Sequence, residues 1–293
     1  MKGKKALVWA VPLLTLAFGG AGAAVYRRFL RTAIEPETAL LTPGMPITYV
    51  LVGLTLAAAV ILALLAFWAR GDYPDSYGHS FYAPHPLPLA AVVAAGGLVV
   101  AAGILAISGY ITRADRQISR LVLGILLIPT GVLLEEIGRR NYRGEAQKSR
   151  LSALLLGPGY CACVWLVYSY QAHTANPVVL DYAFLLLGIS LAILALYYQA
   201  SFSFEGPRPG RAVWCSAMGV VLLLTAMGHR EDAMTMCLCG GMGLYLLTQM
   251  TVLLYRGVHP ADLPPLTLPE TEEKAQAGEQ EAQDRPGETD ETR

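Results

Sequence analysis

"WCSAMGVVLLLTAMGHREDAMTMCLCGGMGLYLLTQMTVLL", residues 214–254, holds the key to the architecture. Two apolar runs flank a tetrapeptide of ionisable residues, His229, Arg230, Glu231 and Asp232. Neither run alternates polar with apolar residues, so neither reads as a half-buried strand. At a helical rise of 1.5 Å per residue, the second run is long enough to cross a ~30 Å hydrocarbon core. The first, about 16 residues from Ala212 to Met227, is short at ~24 Å and pulls its turn towards the headgroups. The charged tetrapeptide is then the turn of a helical hairpin that enters and leaves a membrane.

The same pattern recurs along the chain. Of 293 residues, 54% are hydrophobic and only 15% are charged, whereas a soluble domain carries about 25% charged residues. The charges cluster in islands between apolar stretches. These stretches place eight spans at about Ala6–Val25, Ile47–Trp68, Leu87–Ile111, Ile118–Ile137, Leu151–Tyr170, Val178–Tyr198, Ala212–Met227 and Ala233–Leu254. In lipid each backbone polar group must be satisfied within its own segment, which demands helices. The runs are too long and too uniform for a barrel. The expectation is an all-α, polytopic transmembrane helix bundle over residues 1–258.

The last residues, 259–293, differ in kind. They are acidic, polar and free of aromatics, a composition that buries too little apolar surface to offset its ordering entropy. An acidic, disordered C-terminal tail is expected there.

Orientation follows from Lys and Arg. With the N-terminus inside, "MKGKK", "GRRNYRGEAQKSR", Arg208, Arg211 and Arg256 share the cytoplasmic side. The other side holds fewer cations: "YRRFLRT", Arg113, Arg116, Arg120 and Arg230. The imbalance places both termini in the cytoplasm of a bacterial plasma membrane, with "YRRFLRT" as the main conflict. The first span has a second reading. A basic start, an apolar core and Ala21-Gly22-Ala23 also fit a cleaved signal peptide.

Small residues four apart (Gly19/Ala23, Ala91/Ala95, Gly97/Ala101, Ala102/Ala106) are expected to let helices approach closely. Pro129 and the Gly157-Pro158-Gly159 run are expected to kink their helices. Tyr73, Tyr77, Phe81 and Tyr82, in the loop after the second span, fit an interfacial aromatic belt.

Few residues offer chemistry. Cys161/Cys163 and Cys237/Cys239 resemble metal-binding pairs, but helix positions i and i+2 lie on different faces. All five cysteines sit in apolar runs and read as packing thiols. Glu135 and Glu136 are followed by Arg139 and Arg140, a spacing that makes an interfacial ion-pair cluster and sets helix depth. Asp181 opens the sixth span, where the helix dipole favours an anion. On the expected outer face it can join His229, Arg230, Glu231 and Asp232 in a polar cluster, with Arg230 as its cation.

No HExxH, Walker A or GxSxG motif occurs, and no span carries a charge at mid-depth. No metal site, cofactor or nucleic-acid partner is implied. The sequence leans away from an enzyme and towards a scaffold, sensor or subunit. Its partners would be the lipid bilayer and a membrane or cytoplasmic protein. A carrier for a neutral or apolar solute is the alternative, with an enzyme on lipid-linked substrates third, and no small-molecule substrate is indicated.

Overall fold

A computed structural model describes residues 2–33, 44–68, 77–112, 117–144, 148–174, 178, 180–204, 206–229 and 232–259. Side chains are described for the same residues except 2–7, 148–153 and 181. The acidic C-terminal segment from Pro260 onward lies outside them.

Among the described residues there is no strand, and the helices follow in the order α1 (Lys2–Thr32), α2 (Pro46–Trp68), α3 (Tyr77–Ser80), α4 (Pro86–Thr112), α5 (Ile118–Arg143), α6 (Lys148–His173), α7 (Leu180–Ala200), α8 (Pro209–Ala226) and α9 (Ala233–Val258). Apart from the single turn α3, these are the eight expected segments. Among the described residues, seven are long and apolar enough to cross a membrane. Of α6, only the part from Leu154 onward has described side chains, and that part by itself is not counted among the seven. The chain is an integral, multi-pass membrane protein.

α8 and α9 form the centre. In their most apolar stretches 67% and 72% of residues are buried, against 22% in α2. The hairpin packs against α1 and α2 on one side, α4 on another, and α7 along α8. α5 reaches the centre through α4, and α6 bridges α5 and α7. Large apolar side chains such as Trp9, Leu56, Ile104, Val132 and Leu194 are exposed around the periphery. That surface suits lipid, where exposing an apolar side chain carries no hydrophobic cost.

Close approach of backbones is what brings α4 against its neighbours. A Cβ added to Gly96 would lie 2.7 Å from the Gly131 carbonyl oxygen, and one on Gly103 would lie 3.0 Å from that of Gly124. On the opposite face, a Cβ at Gly241 of α9 would sit 2.9 Å from the Ala95 carbonyl. Ala95, Ala102 and Ala106 are buried here, as their spacing suggested. The Gly97/Ala101 pair is corrected: Gly97 points away from its neighbours, and a methyl group there would meet nothing within 4 Å. Where every face of a helix is apolar, periodicity cannot say which small residues turn inward.

α1 is one helix from Lys2 to Thr32, and Gly22, within the run Ala21-Gly22-Ala23, is buried against α8 while Ala21 is exposed. Gly19 faces Leu224, and Gly22 faces Thr225, both on α8. Its last turns absorb "YRRFLRT": Tyr26 and Phe29 are buried, while Arg27, Arg28 and Arg31 project outward. The arginines that conflict with the charge rule thus stand at a helix end where long side chains reach water.

The aromatic-belt expectation is also corrected. Tyr77 and Phe81 turn inward, stack on each other with ring centroids 4.6 Å apart, and meet Phe202 through Phe81 at 5.4 Å. Tyr73 lies outside the described residues. α5 and α6 each continue as one helix through Pro129 and Pro158. Several hydroxyls in the spans bond back to their own helix, as Thr15 does to the Val11 carbonyl (2.8 Å) and Thr225 to that of Val221 (2.8 Å). An apolar environment leaves them no better partner.

Candidate functional site

Helices α5 and α9 start at one end of the bundle and finish at the other, and polar side chains gather at both ends. At the starting end, Arg120 stands in the first turn of α5. A cation there opposes the helix dipole, and the residue is only 6% exposed. Its Nη2 donates to Oδ2 of Asp232, the residue that caps the start of α9. Asp232 makes no side-chain capping bond to its own helix. One carboxylate therefore serves the guanidinium while sitting at the positive end of α9.

The guanidinium reaches Asp232 by passing over α4. A Cβ on Gly109 would lie 2.6 Å from Arg120 Nη2 and 2.9 Å from its Cζ. Only a glycine leaves that passage open. Arg120 Nε is buried without a hydrogen-bond partner, so the pair is not fully compensated.

The rest of the charged turn divides. His229 packs edge-on against Tyr26 of α1, with centroids 6.4 Å apart. With Tyr26, Leu185 and Cys239 it lines a cavity of about 10 Å³, at the lower limit for one water molecule. The turn leaves no room for a side chain at Gly228, which abuts the Ala23 backbone. Arg230, Glu231 and the Asp181 side chain lie outside the described residues. Of the expected outer cluster, the structure thus brings His229 and Asp232 inward. The cation it supplies to Asp232 is Arg120, which the charge count places on the same side but does not pair with it.

The other end is held by neutral polar groups. Asn141 Nδ2 donates to Tyr77 Oη at 3.3 Å and, more weakly, to Gln249 Oε1 at 3.5 Å. Burial raises the Tyr77 phenol well above its usual pKa, with the Asn141 contact opposing, so it stays neutral. Arg256, 3% exposed, donates from Nε to the Tyr82 carbonyl at 2.7 Å and lies over the Tyr82 ring. Sequence reasoning passed over this group because Asn, Gln and Tyr carry no charge island. A buried Gln249 within an apolar run was the available signal.

The Glu135/Glu136 cluster lies nearby on α5. Arg140 Nε donates to Glu136 Oε1 at 2.9 Å, while Arg139 and Glu135 are 3.8 Å apart. The Glu135 side chain also covers Gly96 of α4, with its Cγ 2.8 Å from the position of an added Cβ. These are one-turn pairs within a helix, worth a few tenths of a kcal/mol each.

All five cysteines are free. Cys161 is buried and Cys163 exposed; Cys239 is buried and Cys237 half-buried. Members of each pair face different ways, so neither pair chelates an ion from an intact helix.

No protein-family model matches this chain, and no curated protein or solved structure does either.

Proposed function

We propose that this chain is a non-catalytic membrane protein, a scaffold, sensor or subunit that acts through partners at the membrane faces. The filled middle of the bundle is the observation that supports it. Between Asp232 and Gln249, α9 presents Leu238, Cys239, Met242, Tyr245 and Leu246, all buried and packed in one cluster with Val92, Ala95, Val99 and Ala102 of α4. Backbones touch on both faces of α4. The cavity beside His229 and the one beside Asn141 are each about 10 Å³, one at each polar end. In the orientation favoured by Lys and Arg, both termini face the cytoplasm. There the basic segment 139–150 and the acidic C-terminal segment are the surfaces offered to a partner.

Native cysteines test this without knowledge of any ligand. Full-length protein in sealed vesicles is treated with a charged, water-soluble methanethiosulfonate. Buried Cys161, Cys215 and Cys239 should stay unmodified until detergent and denaturant are added. Rapid labelling of Cys239 or Cys215 from one side would reveal a water path, and the carrier reading would replace this one.

A further inference from the structure

A lateral groove of about 200 Å³ runs between the end of α2 and the start of α8, lined by Ala63, Ala66, Phe67, Gly210, Arg211 and Trp214. It is some twentyfold larger than the cavities at the polar ends, about 10 Å³ each. We propose that this groove binds one anionic phospholipid, its phosphate on Arg211 and an acyl chain along Ala63, Ala66 and Phe67.

The walls explain why a gap exists there. Trp214 Nε1 donates to the Ala59 carbonyl of α2 at 3.2 Å. That bond holds the two helices together one turn before the groove. Beyond it, Ala63, Ala66 and Gly210 line the groove with little side-chain bulk.

Polarity runs along the groove. The alanines, Phe67 and the Trp214 ring are apolar, while Arg211 and the Gly210 backbone supply the polar part of the lining. Arg211 is exposed and has no carboxylate partner among the described residues, and the same holds for Arg208, which precedes α8. The last turn of α2 and the first turn of α8 stand at the ends of membrane spans, the depth at which headgroups lie. A guanidinium binds phosphate through charge-assisted, bidentate hydrogen bonds. An acyl chain suits the remaining surface. An amphipathic occupant with one negative head and one apolar tail matches both parts of the site, and in a membrane the bilayer supplies it.

The test uses Trp214 as reporter. Full-length protein is reconstituted in phosphatidylcholine vesicles containing an equal, low mole fraction of acyl-brominated phosphatidylglycerol or acyl-brominated phosphatidylcholine. Bromine quenches tryptophan fluorescence on contact. Lipid-exposed Trp9 and Trp68 meet both lipids, so the difference reads the groove. An apparent preference for phosphatidylglycerol of roughly fivefold to tenfold is expected, the scale of one charge-assisted contact.

The preference should fall to about one in Arg211→Gln, which removes the head contact. It should fall equally in Ala63→Phe, which fills the groove at an exposed position and leaves the charge intact. Arg139→Gln, on a distant exposed helix face, should retain it. Equal quenching by both lipids in the wild type overturns the proposal. So does an equal loss in Arg139→Gln, which would mean a general surface potential. If the preference emerges only after residues 260–293 are removed, the chain's own acidic end is the occupant and the lipid assignment falls.

Discussion

Arg120 and Asp232 are separated by 112 positions in the chain and meet side chain to side chain across a glycine of the helix between them. The contact joins the first turn of α5 to the residue just before α9. It is more than a surface ion pair, because Arg120 is almost wholly buried and the Asp232 side chain is only 28% exposed. Removing one partner of a fully buried pair costs roughly 3–5 kcal/mol, because the other charge is left without compensation. With Asp232 partly wet, Asp232→Ala should cost about 2 kcal/mol. A double-mutant cycle with Arg120→Met, read by unfolding in mixed detergent micelles, should give a coupling energy above ~1 kcal/mol. Additive effects would mean that the pair contributes nothing to stability.

Gly109→Ala should damage the same pair without touching either charge. The new methyl occupies the path of the guanidinium, so the Arg120–Asp232 coupling should drop by at least about half while the α4 backbone stays helical. Repeating the cycle in the Gly109→Ala background measures this directly. Undiminished coupling would show that the arginine has another route.

The helix contacts around α4 predict opposite outcomes for adjacent glycines. Gly96→Ala and Gly131→Ala each force a methyl against a facing backbone oxygen and should destabilise by about 1–3 kcal/mol. Gly97→Ala meets nothing and should be neutral or stabilising by up to roughly 1 kcal/mol, since alanine favours the helix. Thermal unfolding in one detergent compares the three. Equal effects would contradict the facing assigned to α4.

At the Arg256 end, Arg256→Lys should not behave as a conservative change. Lysine has neither the Nε donor held by the Tyr82 carbonyl nor a planar face for the Tyr82 ring. The segment at residues 77–85 should then exchange amide hydrogens about tenfold faster, equivalent to ~1.4 kcal/mol of local stability. Exchange should be unchanged around Arg120. Uniform acceleration along the chain would point to global destabilisation instead.

Topology gives the last expectation. α9 crosses once between Asp232 and Val258, so reporter fusions in the turn at 229–232 and after residue 258 should report opposite sides. From the Lys/Arg distribution, the fusion after 258 should report the cytoplasmic side. A signal from the opposite side at that fusion would invert the bundle without altering its packing.

A bilayer constrains a chain in one dimension, and that dimension can be read along the sequence. Span length, helical backbone and the confinement of charges to helix ends all follow from the thickness of a slab without water. The eight segments were therefore legible, and so were the one-turn pairs Glu135/Arg139 and Glu136/Arg140, because α-helical geometry sets which nearby residues meet. Facing and long-range pairing belonged to the packed bundle. Gly96 and Gly97 are equivalent in an all-round apolar helix, and only the approach of α5 selects Gly96. Arg120 was one cation among several on its side until folding set it over Gly109 and against Asp232. Tyr77, Asn141 and Gln249 lie far apart in the chain and carry no charge pattern that could link them. Hydropathy measures transfer from water to lipid, residue by residue, and holds no information about which distant residue will complete a buried hydrogen bond.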